Sequence, residues 1–201
     1  MHKYVLIACL FASSAFAQGS PWQFTGGILL SEGGDRLFTG KYTDGTKIDI
    51  TAGGTLALNF GLYRNIGSAF DLQTTLGIHT AGTLGTNGNA SFTRFPLEVM
   101  GFYQLNDDYR LGAGARKSLS AKLGTSGVAT YQPSLEFNAS VGSVVELQYL
   151  IGKKTRKSKA QFAVNFRYVK ETFTEKTEGI KVKGDHIGAG GGFLQLNLAD
   201  G

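Results

Sequence analysis

The chain has 201 residues, with 20 Lys and Arg against 15 Asp and Glu, 29 Gly, three Pro and a single Cys. The +5 formal charge is mild, its basic residues are scattered among acids and no signature of a nucleic-acid-binding module occurs, which excludes nucleic acid as the partner. Beyond the N-terminal segment no apolar run approaches the roughly 20 residues of a membrane-spanning helix, and abundant glycine with frequent Tyr and Phe is a composition for twisted sheet with tight turns.

In chain order, Met1, His2 and Lys3 precede an apolar stretch over 4–12 and the small-residue triplet Ala15, Phe16, Ala17. This predicts a secretory signal over 1–17, cut before Gln18. Leu6, Ile7, Ala8 and Cys9 resemble a lipoprotein box, but cleavage there would leave an apolar region of five residues or fewer against the usual span of about 7 to 15. Cys9, the only cysteine, leaves with the signal, so the mature chain has neither a disulfide nor a Cys-based metal site. No composition break marks a linker in 18–201, which predicts one domain.

From Trp22 onward the dominant signal is a period of two. Trp22, Phe24, Ile28 and Leu30 share the first apolar face, and Ile48, Ile50, Leu56, Leu58, Phe60 and Leu62 the second. Phe70, Leu72, Thr74, Leu76 and Ile78 follow, opposite Asp71, Gln73, Thr75, Gly77 and His79. Then come Phe95, Leu97, Val99, Tyr103 and Leu105, and a shorter face of Tyr109, Leu111, Ala113 and Ala115. Phe137, Ala139, Val141, Val145, Leu147, Tyr149 and Ile151 oppose Glu136, Asn138, Ser140, Glu146 and Gln148. Phe162, Val164, Phe166 and Tyr168 form the seventh face, and Leu194, Leu196 and Leu198 the eighth. Eight strands are predicted.

The connections at 64–68, 106–108 and 152–159 are short, whereas those at 32–47, 82–89, 118–133 and 174–185 are generally longer and polar. Such alternation is the layout of an outer-membrane barrel, with short turns in the periplasm and long loops outside. The polar face collects Arg94, Glu98, Arg110, Arg116, Glu136, Glu146, Arg167 and Glu171, balanced in sign and poor in lysine. A water-facing surface commonly uses lysine, so these are read as a paired, structural charge network in the lumen. Trp22, Phe70, Tyr103, Tyr109 and Tyr149, all near the inferred periplasmic end, are read as an aromatic girdle. The opposite arrangement, a lipocalin-like soluble carrier, would turn the apolar face inward around a ligand.

Thr93 to Glu98 (TRFPLE), then Tyr103, Arg110 to Arg116 (RLGAGAR), and Asn138, Ala139, Gly142, Glu146 and Tyr149 together resemble a family of small Gram-negative outer-membrane β-barrel proteins. The resemblance covers the middle and later part of the chain. It implies an all-β, eight-stranded antiparallel up-and-down transmembrane β-barrel in the outer membrane, and little about activity. The chain departs from such barrels in ending Leu196, Asn197, Leu198, Ala199, Asp200, Gly201 rather than on an aromatic residue; Leu198 is the candidate substitute.

For catalysis, some small outer-membrane barrels modify lipids with serine or histidine, and His79 and His186 are the histidines that remain after the signal. Hydrolysis needs a Ser within reach of a His with a carboxylate behind it, and no such set can be assembled from spacing. His79 is read as a satisfied lumen residue. The glycines at 188 and 190–192 contain GxG without a following helix, so they are assigned to close strand approach rather than to phosphate binding. The basic residues Lys153, Lys154, Arg156, Lys157 and Lys159 are assigned to a solvated turn. The sequence thus predicts a monomeric outer-membrane barrel in a structural or surface-interaction role, without cofactor or catalysis. Its partners would be outer-membrane lipids, lipopolysaccharide and, during insertion, the barrel-assembly machinery. An outer-leaflet lipid-modifying enzyme is the alternative, and a soluble periplasmic carrier the next.

Overall fold

The computed structural model describes residues 22–41, 47–84, 88–127, 134–152 and 160–195, all of them strands and the turns between them. The expected signal over 1–17, the basic residues of 153–159 and the C-terminal Leu196 and Leu198 lie outside these residues. Eight strands close into a barrel: β1 (Gln23–Gly33), β4 (Thr55–Asn65), β5 (Phe70–Leu84), β6 (Gly88–Gln104), β7 (Tyr109–Gly127), β9 (Gly142–Ile151), β10 (Ala160–Lys170) and β13 (His186–Gln195). Each pairs antiparallel with the next in that order, and β13 returns to β1 from Thr25↔Leu194 to Gly33↔His186. Closure leaves this wall without a free edge.

Period two is carried through the wall as expected. Along β6, Phe95, Leu97, Val99 and Tyr103 point outward and are 41–47% exposed, while Phe92, Arg94, Glu98, Met100 and Phe102 point inward and are buried. The glycines of β13 permit its close approach to β1, since a Cβ at Gly190 would lie 2.1 Å from the Ile28 carbonyl oxygen.

A second layer stands on the end of the barrel opposite the short turns at 66–69 and 105–108. It contains a hairpin of β2 (Arg36–Lys41) and β3 (Lys47–Thr51), together with β8 (Leu135–Ala139), β11 (Thr172–Glu175) and β12 (Lys181–Lys183), which extend the sheet from β7. Its interior is apolar: Phe38, Ile50, Phe92, Leu123, Phe137 and Phe173 form one buried cluster, with Phe92 packed edge-on against both Phe137 and Phe173 at 5.5 and 5.4 Å. The hairpin is tied down where the Asp35 amide donates to the Lys183 carbonyl at 2.7 Å and the Lys183 amide to the Asp35 carboxylate at 2.7 Å. At its base Gly34 has φ +78, and a Cβ there would meet the Gly53 nitrogen at 2.5 Å, so glycine is required.

This layer corrects several expectations. The second predicted strand is two: Ile50 belongs to β3 in the apolar cap, and only Leu56 to Leu62 line the barrel wall. The polar connections at 32–47, 118–133 and 174–185 contain β2, the upper part of β7, and β12. Glu136 is not in the lumen, and Phe137 is not on the outer face. Between β8 and β9 the chain breaks at Ser140 and Val141, the inward parity changes from odd to even, and Glu136 therefore faces solvent while Phe137 is buried. The eighth strand starts at His186, with Ile187 and Phe193 outward and Leu194 buried on the inner side rather than on the apolar outer face.

Candidate functional site: the charged lumen

Alternation on eight closed strands forces every second side chain into a space about wide enough for side chains alone. At the end nearest the short turns, Arg110 of β7 donates to Asp71 of β5 at 2.9 Å and to Gln148 of β9 at 2.8 Å, with its guanidinium 4.2 Å from the Phe102 ring centroid. Tyr63 donates to Gln23 beside it. In the middle, Glu98 of β6 is shared by two arginines: Arg116 reaches one oxygen at 2.6 Å and Arg167 the other at 2.7 Å. Arg167 also meets Glu146 at 3.3 Å, and Arg116 meets Glu171 at 3.1 Å. The second Glu171 oxygen accepts from the Ser118 amide and hydroxyl at 3.1 and 2.7 Å. Buried charges are costly unless paired and hydrogen-bonded, and these four arginine–carboxylate contacts pair them.

A different cluster closes the top of the lumen. Arg94, fully buried, has no carboxylate within ion-pair distance among the described residues. It contacts His79 at 2.9 Å and the Gly54 carbonyl at 3.3 Å, and it lies 5.3 and 5.7 Å from the ring centroids of Phe92 and Phe173. Both His79 ring nitrogens face the Arg94 guanidinium, Nδ1 at 2.9 Å and Nε2 at 3.0 Å, and Nδ1 also faces Arg116 at 3.1 Å. Nε2 lies 2.8 Å from the Ser31 hydroxyl, which also reaches the Gly53 carbonyl at 2.9 Å. The groups behind this imidazole are cations where a hydrolytic triad needs a carboxylate. His186, stacked edge-on to His79 at 5.1 Å, donates from Nδ1 to the Gly184 carbonyl at 2.7 Å.

The structure thus brings Arg94, Glu98, Arg110, Arg116, Glu146 and Arg167 together inside and leaves Glu136 outside. Ser31, Ser118 and His186 belong to the same interior and were not assigned to it from sequence. Ser31 was within reach, because it lies in phase opposite Ile28 and Leu30; Ser118 was hidden by the expectation of a loop from that residue on. Between Glu98, Glu146, Gln148 and Arg167 a void of about 20 Å³ remains, room for one water.

The five aromatic residues sit at the end of the short turns. Phe70 and Tyr103 are 4.9 Å apart across β5 and β6, and Tyr109 and Tyr149 are 5.1 Å apart across β7 and β9. Trp22 lies under the Arg64 guanidinium at 5.9 Å.

No protein-family model matches the chain, and no curated protein matches it. Among solved structures the chain is similar to Ail, the attachment invasion locus protein of Yersinia pestis, in complex with the heparin analogue sucrose octasulfate, at 14% identity over 86% of this chain and 97% of that one, TM-score 0.48. It is similar to Neisserial surface protein A at 10% identity over 88% and 98%, TM-score 0.48, and to the outer membrane protein AlkL in DMPC lipid bilayers at 13% over 90% and 90%, TM-score 0.41. The fold rests on the strand pairings themselves, which make this chain a closed eight-stranded antiparallel β-barrel, as the resemblance implied.

Proposed function

We propose that this chain spans the outer membrane as a plugged barrel and serves a structural or surface-interaction role, presenting its capped end outside the cell. The observation that carries this reading is the inversion of the wall: Ile28, Phe60, Phe162 and Phe166 are 51–63% exposed while Arg94, Arg110, Arg116 and Arg167 are buried. In water such a wall would expose a continuous apolar belt, whereas hydrocarbon accepts it and demands the closed hydrogen bonding that a barrel provides. A lipocalin-like carrier needs the reverse arrangement. Insertion would use the barrel-assembly machinery, and the product is read as a monomer in contact with outer-membrane lipids and lipopolysaccharide.

Catalysis does not enter this reading, because His79 is buried and held by arginines, with no carboxylate behind it among the described residues to orient it as a base toward Ser31. Membrane fractionation with heat-dependent gel mobility tests location and barrel together: the purified chain should stay in the detergent phase and migrate faster unheated than boiled. A chain that remains folded and monomeric in plain buffer would end the proposal. Planar-bilayer recordings should show no stable conductance of porin size, since the lumen is filled by paired charges and the cap above it is apolar.

A further inference from the structure

The outer wall is interrupted where β7 changes partner. Through Arg116↔Gly142 it pairs with β9, and from Ala121↔Phe137 it pairs with β8; no register pair joins 117–120 to either strand. The gap is a cavity of about 360 Å³ whose lining includes Lys117, Ser120, Glu136, Asn138 and Lys176, backed by Phe137. Glu136 engages Lys176 at 2.9 Å and Lys122 at 3.7 Å, while Lys117 enters no ion pair among the described residues. Three lysines surround one carboxylate, a local excess of positive charge.

Immediately beside the gap the wall is strongly apolar, with Leu119 61% and Val141 68% exposed. Lys117 stands opposite Leu97 in register, on the outward face beside the apolar belt, and it also lines the gap, where a long amphipathic side chain can keep its stem in hydrocarbon and its charge among polar groups. The gap is at the capped end, away from the aromatic pairs and short turns. In the orientation proposed above, on which this inference rests, that is the outer leaflet.

We propose that this gap docks the phosphorylated sugar headgroup of an outer-leaflet glycolipid. Lys117 and Lys176 bind the phosphate, Ser120, Asn138 and the Glu136 carboxylate hydrogen-bond sugar hydroxyls, and the acyl chains run along Leu119 and Val141. The cavity is much larger than a phosphate, and its lining offers neutral and anionic hydrogen-bonding groups beside the cations. That combination suits a phosphosugar better than a phospholipid headgroup.

The test uses the full barrel refolded in phosphatidylcholine nanodiscs doped with diphosphoryl lipid A, with the same lipid dephosphorylated, or with phosphatidylglycerol, and counts retained lipids by native mass spectrometry. Diphosphoryl lipid A should be retained in preference to both others. Lys117→Gln and Lys176→Gln should each lower its retention about fivefold, the weight of one lysine at a charged lipid surface. Lys47→Gln, on the hairpin, should leave retention unchanged. Equal retention of the dephosphorylated lipid, equal retention of phosphatidylglycerol, or indifference to both gap substitutions would overturn the site. Heat-dependent gel mobility of each variant reports separately on the barrel, so loss of the fold and failure of the transmembrane reading are distinguished from loss of the headgroup site.

Discussion

The barrel wall and the cap above it share the long strands β6 and β7 and have opposite polarity. In the wall, β6 places Leu97 and Val99 outside and Glu98 inside; a few residues earlier on the same strand Ser91 and Thr93 are outside and Phe92 is fully buried. Along β6 the alternation never stops, and what changes is which chemistry occupies each parity. The wall keeps its charges from a surrounding apolar medium, and the cap keeps its phenylalanines from water. The boundary between two solvents is thus written along individual strands, near Arg94, His79 and Glu171, where the polar lumen meets the aromatic cluster. Arg94 sits at that junction, with histidine and a carbonyl on one side and the faces of Phe92 and Phe173 on the other.

The most disruptive way to break the wall is from within. Glu98→Gln leaves Arg116 and Arg167 each short of a buried counter-charge and should cost about 3 to 5 kcal/mol, read as a lower urea midpoint of the refolded barrel in lipid vesicles. The corresponding deletion in the cap is Phe173→Ala, expected to cost about 3 kcal/mol through the cavity it leaves. Its effect should concentrate in amide exchange of β8, β11 and the hairpin, with the exchange of β9 and β10 unchanged. Cooperative loosening of the whole barrel by Phe173→Ala would show that the two regions are one unit.

The polarity switch itself can be probed from outside. Val145→Lys, on the outer face of the wall, should cost about 2 to 4 kcal/mol in vesicles as a charge placed in hydrocarbon, while Ser91→Lys, on the outer face of the cap, should stay within about 0.5 kcal/mol. Equal tolerance of the two lysines would remove the membrane from the picture.

The smallest effect concerns pH. The Lys176 ammonium, hydrogen-bonded to Glu136, and then Lys122 hold the Glu136 carboxyl below the usual carboxylate range. A carboxyl with a depressed folded-state value stabilises above its ordinary value, and the contribution disappears as the pH falls through the folded one. The acid limb of the stability curve should therefore soften slightly in Glu136→Gln, and an NMR titration of the Glu136 side chain should have its midpoint below that of a free glutamate.

Much of the wall was legible because lipid is a strict reader of alternation. Leu97 against Glu98, or Phe166 against Arg167, can be assigned to opposite faces from neighbouring residues alone, and the short turns at 66–69 and 105–108 declare themselves by Asn, Ser, Gly and Asp. The cap was not legible for a specific reason. Its strands carry the same period two with the chemistry reversed, so Phe137 and Ile50 resemble lipid-facing residues and Glu136 resembles a lumen acid. The break at Ser140 and Val141, the turn at 52–54 and the shift at Leu119 and Ser120 within β7 change the parity, and none has a signature stronger than an ordinary small-residue or apolar step.

By itself the sequence determined that strands of period two alternate, that their number is eight in the wall, and that Arg and Glu share one face and aliphatic and aromatic side chains the other. These follow from local geometry, since a strand cannot present neighbouring residues to one side. Tertiary structure alone decided the partners: that Glu98 bridges Arg116 and Arg167, that Arg94 stands beside His79 without a carboxylate among the described residues, and that the β2–β3 hairpin packs on the distant Phe92, Phe137 and Phe173. Register and closure bring β6, β7 and β10 around a common axis, and a pairing such as that of Glu98 with Arg167, 69 positions apart, has no trace in any short stretch of chain.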